Sequence, residues 1–288
     1  MLLACAVVVT VSSRPQAQTN ANTRVIYASA LDSAGNPVES LATTDVIVRE
    51  DKVAREVLGI VPATDPLDIA LLVDNSAAAD PYIRDYREAF KAFVEAIQAD
   101  ENGTKHQMAL ITLADRPTIV ADYTPDLARI QQGASRMFSS PGSGSYMLDG
   151  IIETSQGISK RRSLRPVIVV VTTEGPELSD RQYTSVLEPL RASGASLHII
   201  VVGRPVNNAT DRSIVLGVGT KDTGGRYDTL LMSNGLAAKM KQVAADLTHQ
   251  WKVTYSRPQS LIPPEQITIA SAKNGLTVRG MPAKEVRE

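Results

Sequence analysis

The stretch that most restricts what this chain can fold into runs from Pro66 to Ala78, Pro-Leu-Asp-Ile-Ala-Leu-Leu-Val-Asp-Asn-Ser-Ala-Ala. Leu67 to Val73 is an apolar run of strand length that stops at Asp74, and a polar turn then leads into a helix-forming segment. A strand apolar on both faces belongs at the centre of a parallel sheet, where helices cover both sides. A carboxylate at its carboxyl end stands where open α/β sheets bind ligands.

The following residues supply the partners that such a strand needs. Arg84 to Gln98 carries Tyr86, Phe90, Phe93, Val94 and Ile97 at the three- and four-residue spacing of an amphipathic helix. Gln107 to Leu113 and Thr118 to Val120 read as short strands, and Asp126 to Met137 and Met147 to Ile158 as helices. Val167 to Val171 is a β-branched run, so a second buried central strand is expected there. A helix over Asp180 to Ala192, a strand over Leu197 to Val202, an edge strand over Arg226 to Leu231 and a helix over Ala237 to Leu247 complete the series. Strands alternating with helices of this length build βαβ units, so the expected fold class is α/β, with a doubly wound, mostly parallel sheet.

The flanks read differently. Thr23 to Leu31, the alternation at Val46 and Val48, and Val53 to Val61 are strand-like, with no helical period before Pro62. After Thr248, Trp251 to Tyr255 alternates, Gln266 to Ala270 follows, and Asn274-Gly275 offers a tight turn into Leu276 to Val278. A lone N-terminal segment of this size is too small to close a sandwich. The α/β domain, 63–248, is therefore expected to interrupt a small β-sandwich made of 18–62 and 249–288. Ahead of these, Leu2 to Val11 and the small and polar residues through Ala17 resemble a secretory signal peptide and are too short to span a bilayer. The protein is thus expected to be exported, to the periplasm, the cell surface or the medium. Cys5, the one cysteine, lies in this segment, and the apolar run continues past it, unlike a lipid-attachment site. Cleavage near Ala17 leaves no thiol.

A formal net charge of -1 offers no electrostatic footprint for nucleic acid, and one Trp with three Phe offers no stacking platform for bases. No nucleic-acid partner is expected.

Three loops are expected to meet at the carboxyl edge of the sheet: Asp74-Asn75-Ser76-Ala77-Ala78, Gly142-Ser143-Gly144-Ser145 and Thr172-Thr173-Glu174-Gly175. A carboxylate, two hydroxyls and a second carboxylate there form an all-oxygen set suited to a hard divalent cation, Mg2+ first and Mn2+ or Ca2+ next. Here the chain resembles the von Willebrand factor A domain. Asp74-Asn75-Ser76-Ala77-Ala78 matches the first two anchors of that family's metal-adhesion motif, Asp-x-Ser-x-Ser. Ser145 falls at the loop-two Thr, in a context that includes Asp149, and Glu174-Gly175 falls at the family's Asp-Gly. The resemblance covers Pro66 to Leu247. It implies a non-enzymatic, adhesion-type module that binds another, extracytoplasmic protein, a partner carboxylate completing the coordination of the cation. The flanking segments resemble those of a bacterial exported subgroup in which the A domain interrupts an immunoglobulin-like sandwich.

Three departures bear on function. Ala78 replaces a hydroxyl that in the family binds metal, Glu174 is one methylene longer than Asp, and Ser145 lacks the methyl that restricts a Thr rotamer. Two readings follow. In one, a weakly held cation takes a water in place of the missing oxygen. In the other, Asp74 and Ser76 cap the helix containing Arg84 or tie down the turn, no metal binds, and the chain is a structural or assembly module.

Enzymatic readings find little to stand on. An aspartyl-phosphate mechanism would want a carboxylate where Ser76 stands and a lysine after a later strand, which instead ends Val202-Gly203-Arg204. No Gly-x-Gly-x-x-Gly follows Val73, and no Gly-x-Ser-x-Gly is present. His106, His198 and His249 lie far apart in sequence, and His198, inside a strand, reads as packed. Lys160-Arg161-Arg162 ends a helix, where positive charge suits the dipole. Gly217-Val218-Gly219 reads as a helix terminus or turn.

Overall fold

The computed structural model describes residues 22–99, 103–161, 163–204, 210–258 and 262–283; the signal-like segment with Cys5 lies outside them, as does Arg162. The N-terminal segment forms β1 (Asn22–Leu31), β2 (Val46–Glu50), β3 (Val53–Arg55) and β4 (Val57–Pro62). Next come β5 (Leu67–Val73), α1 (Ile83–Gln98), β6 (Gln107–Thr112), β7 (Thr118–Thr124), α2 (Leu127–Ser135) and α3 (Met147–Arg161). They are followed by β8 (Arg165–Thr173), α4 (Tyr183–Ser193), β9 (Ser196–Val202), β10 (Tyr227–Leu230) and α5 (Leu236–Thr248). The chain then returns to strands in β11 (Trp251–Arg257), β12 (Ile267–Ser271) and β13 (Thr277–Pro282).

The central sheet has the order β10-β9-β8-β5-β6-β7. All neighbours are parallel except β7, which runs antiparallel to β6 at the edge. The apolar run in β5 is explained by its two faces. Leu67, Ile69, Leu71 and Val73 pack with α1, α2 and α5, while Ala70 and Leu72 pack with α3 and α4 on the other side. A strand buried on both sides has no polar face to alternate with, which is why its sequence is continuous rather than period-two.

The flanking strands form a four-stranded sheet, β13-β1-β11-β4, and a three-stranded sheet, β12-β2-β3. Between them lie Ile26, Ala28 and Ala30 of β1, Val48 of β2, and Val253 and Tyr255 of β11. The stretch expected as a single strand over 53–61 is two strands, because β3 pairs with β2 while β4 pairs with β11 in the other sheet. Residues Val215–Gly219 form a π-helical turn inside a longer helical stretch, where a terminus or turn was expected. Arg161 does more than finish α3: its guanidinium lies 4.0 Å from the centre of the Tyr123 ring and 4.0 Å from Asp68 Oδ2.

The chain crosses between the two parts at 63–66 and at 249–250. The two crossings touch, with Ala63 N donating to Gln250 O at 2.8 Å. Buried Arg165, at the start of β8, donates to the carbonyls of Ala63, Asp65 and Leu247 and to Gln250 Oε1 at 3.0 Å. Its guanidinium also lies over the Tyr27 ring of β1. Asp65 completes the neck by accepting from Tyr27 Oη at 2.7 Å and Lys252 Nζ at 3.0 Å. No helix among the described residues is long and apolar enough to cross a membrane.

Candidate functional site

Register brings the site together. Val73 pairs with Val171 on one side and Thr112 on the other, so residues 74, 113 and 172 leave the sheet side by side. Asp74 N donates to Val171 O at 2.9 Å, and Leu113 N to Val73 O at 3.0 Å. The Asp74 carboxylate is fully buried. Its Oδ1 accepts from Ser76 N at 2.9 Å. Its Oδ2 accepts from Thr172 Oγ1 at 3.1 Å, Thr173 Oγ1 at 3.0 Å and Thr173 N at 3.2 Å. These bonds tie down the turn. They do not cap a helix: the chain passes through a 3-10 turn, Ala77–Tyr82, and the N-cap position of α1 is Tyr82.

The other two loops are stitched to the first. Asn75 accepts from Ala114 N through Oδ1 at 3.0 Å and donates to Phe138 O through Nδ2 at 3.1 Å. Ser145 N donates to Pro176 O at 2.8 Å, and Leu178 N to Ser145 O at 2.7 Å. Loop two presses on loop three closely enough that a Cβ at Gly144 would sit 2.5 Å from Leu178 Cγ. A Cβ at Gly175 would likewise sit 2.4 Å from the Ala78 Cβ. Gly175→Ala is therefore expected to overpack this contact and destabilise the fold by about 1–3 kcal/mol, read from the urea midpoint.

Two oxygens stand out. Ser76 Oγ and Ser145 Oγ are both buried and have no hydrogen-bond partner. An unpartnered buried hydroxyl costs roughly 1–3 kcal/mol, so these atoms mark a place that a water or a hard cation fits. Tyr86, on α1, also buries a hydroxyl without a partner, and burial first and the Asp74 charge second hold its pKa well above that of an ordinary phenol. Among the described residues no group of three or more His, Cys, Asp or Glu could hold a metal ion. A cation here would rest on Asp74 and hydroxyl oxygens.

Glu174 is drawn the other way. Its Oε2 accepts from Arg212 Nη1 at 3.0 Å, and Arg212 Nη2 donates to Thr173 O at 2.6 Å. Its Cβ and Cγ lie 3.8 Å from where a Cβ at Gly203 would be, after β9. Since β8 lies between β9 and β5, Glu174 leans away from the Asp74 side of the sheet. So the structure gathers Asp74, Ser76 and Ser145 in one stitched edge and places Glu174 with Arg212. Asp149 also turns outward, its Oδ1 accepting from Arg181 Nε at 2.6 Å. Sequence reading missed Arg212, which is 38 positions from its partner. It missed Asn75 too, although an amide beside Asp74 could have been suspected of bridging loops.

The rim is apolar. Phe138 of loop two is 71% exposed, with the Arg87 guanidinium 4.9 Å above its ring, and Leu178 of loop three is 50% exposed. Leu231 and Met232, which follow β10 at the same end of the sheet, are exposed as well. Beside loop three a cleft of about 640 Å³ is lined by Glu174, Glu177, Arg212 and Tyr227 among others. Burial raises the Glu177 carboxyl above the ordinary value.

Comparison with known proteins agrees with this geometry. Residues 68–227, more than half of the chain, match the model of the von Willebrand factor type A domain. A von Willebrand factor type A structure from Catenulispora acidiphila superposes with a TM-score of 0.51 at 11% identity, over 92% of this chain and 75% of that one. Proximal thread matrix protein 1 from the mussel byssus, solved with zinc in its MIDAS motif, gives a TM-score of 0.51 at 18% identity. That likeness covers 69% of this chain and 49% of the mussel protein, so the chain spans about half its length. At these identities the structures show the fold alone. No curated protein matches. With the family model lying over the sheet and all three stitched loops, the chain belongs to the von Willebrand factor type A domain family.

Proposed function

We propose that this protein is an exported, non-enzymatic binding module that engages another protein through the loop edge around Asp74, with a weakly held divalent cation at Asp74, Ser76 and Ser145. The observation that carries the cation is the pair of buried, unpartnered hydroxyls beside a buried carboxylate. A hard cation such as Mg2+ takes oxygen ligands and keeps several waters, so three protein oxygens suit a weak site. The bound cation would offer a partner carboxylate an open coordination position. Phe138, Leu178, Leu231 and Met232, exposed at the carboxyl end of the sheet, supply apolar surface for a protein partner. The family is one of interaction modules, and the mussel structure shows that its MIDAS motif takes zinc there.

A second reading, a metal-independent structural or assembly module, is favoured by one observation. Asp74 already accepts four hydrogen bonds from its own chain and is satisfied without a cation. Calorimetric titration with Mg2+, Mn2+ and Ca2+ separates the two. Binding is expected in the millimolar range and a rise in Tm with it; restoring the hydroxyl with Ala78→Ser should tighten it by about tenfold. The absence of both heat and Tm shift for the parent and for Ala78→Ser would leave the metal-independent module.

A further inference from the structure

We infer that Arg212 acts as an internal cation that withholds the loop-three carboxylate from the Asp74 edge, so that Glu174 joins a cation's ligands when this ion pair is broken. The inference rests on the cation reading above and concerns residues outside its three-oxygen set. Four observations meet at this pair.

The first is geometry. Arg212 holds both Glu174 Oε2, at 3.0 Å, and the Thr173 carbonyl next to it, at 2.6 Å. Loop three is therefore gripped at two consecutive residues. The second is burial: the side chains of Arg212 and Glu174 are 13% and 16% exposed, so water screens their attraction little. The third is anchoring. Arg212 sits in a helical turn begun by a reciprocal cap, with Ser213 N donating to Thr210 Oγ1 at 3.2 Å and Thr210 N to Ser213 Oγ at 3.0 Å. Asp211 Oδ1 accepts from Tyr183 N at 2.8 Å, which fixes the same turn to α4. The guanidinium is the fixed member and Glu174, on a loop, is the held one. The fourth is direction: the Glu174 Cβ and Cγ lie 3.8 Å from where a Cβ at Gly203 would be, after β9, on the side of β8 away from β5 and its Asp74.

Residue chemistry fits the arrangement. Arg stays protonated at any physiological pH, so the pair does not open by titration of its cation. The additional methylene of Glu over Asp lengthens the reach toward the guanidinium and leaves a side chain with enough torsions to point either way. A positive charge already paired with Glu174 takes from a divalent cation the second carboxylate it would otherwise attract.

The test is calorimetric titration of the full chain with Mn2+, for the parent, Glu174→Gln, Arg212→Gln, Arg212→Lys and the double variant Arg212→Gln/Glu174→Gln. Far-UV circular dichroism of each reports folding. Arg212→Gln is expected to bind Mn2+ about tenfold tighter than the parent, the size of one released charge-assisted pair. The double variant should lose that gain, Arg212→Lys should stay near the parent, and Glu174→Gln alone should change affinity by less than about twofold. A parent that binds while Arg212→Gln binds no better overturns this inference and leaves the cation reading standing. A loss of about tenfold or more in Glu174→Gln alone overturns it too, because Glu174 would then already be a ligand, and that comparison decides even if Arg212→Gln does not fold. Failure of the parent and of every Arg212 variant to take up Mn2+ overturns both.

Discussion

Arg165→Met is expected to destabilise the protein by about 3–5 kcal/mol, the usual cost of breaking up a buried charged network. The side chain is 4% exposed and serves four oxygen acceptors, two on the first crossing, one on the second and one at the end of α5. Methionine fills a similar volume but donates nothing, so the Leu247 carbonyl and Gln250 Oε1 lose a buried partner. The loss should also change how the two parts unfold together. The single tryptophan, Trp251, opens β11 directly after the second crossing, whereas the long helices all belong to the α/β unit. Urea unfolding followed by Trp251 fluorescence and by far-UV circular dichroism should coincide in the parent and separate in Arg165→Met. Coincident curves with a loss below about 1 kcal/mol would mean that the neck is held elsewhere.

Acid is expected to weaken the fold well before its carboxylates titrate, through His198. This residue lies in the buried strand β9, and neither ring nitrogen has a hydrogen-bond partner. Burial lowers its pKa from 6.5 to about 4; Asp246 and Asp228 oppose the shift, and Arg279 and Arg226 add to it. The folded protein keeps the ring neutral where the unfolded chain would protonate it. His198 therefore contributes fully above pH 6.5, and the contribution is lost as pH falls from 6.5 toward 4. The gap between the two values corresponds to about 3 kcal/mol. Asp45 and Asp65, whose pKa values are lowered, act below their ordinary value of 3.8. Glu177, raised above 4.5, acts in the opposite sense, losing stability as pH rises through its folded value. Comparing the parent with His198→Leu cancels these other groups. The stability of the parent relative to His198→Leu should fall steadily between pH 6.5 and 4, and a pH-independent difference would refute the assignment to His198.

Much of this architecture could be read before any coordinates. Continuous apolar runs at Leu67–Val73 and 167–171 mark the two-sided burial of central parallel strands, and the apolar spacing in α1 marks its core face. The loop edge was legible because Asp74, Ser76 and Ser145 follow strands or precede helices at recognisable spacing, and the pairing of β5 with β8 and the bridge of Ala114 with Ser145 bring their loops to one end of the sheet. What escaped were contacts set by tertiary packing. The split at Glu56 depends on β3 and β4 entering different sheets, which local propensity does not encode. Arg212 could not be tied to Glu174, because nothing near either residue signals a pair formed across the intervening α4 and β9. The buried cluster of Asp246 with Arg279 and Arg226 escaped for the same reason, its members lying in α5, in β13 and just ahead of β10.

The neck also has a bearing on how the molecule is made. β1 pairs with β11 and β13, Asn22 opposite Arg257 and Leu31 opposite Thr277, while every strand of the central sheet comes from the residues in between. A chain leaving the ribosome N-terminus first can complete the α/β unit while β1 still lacks both neighbours. The touching crossings at Ala63 and Gln250 then bring β11 back beside strands made long before, so that closing the sandwich spans a short gap rather than a long, floppy loop. Of the strands described, β1 is made before the rest and is among the last to be paired. Until then Ile26, Ala28 and Ala30 need shielding, by a chaperone or by early contact with β2.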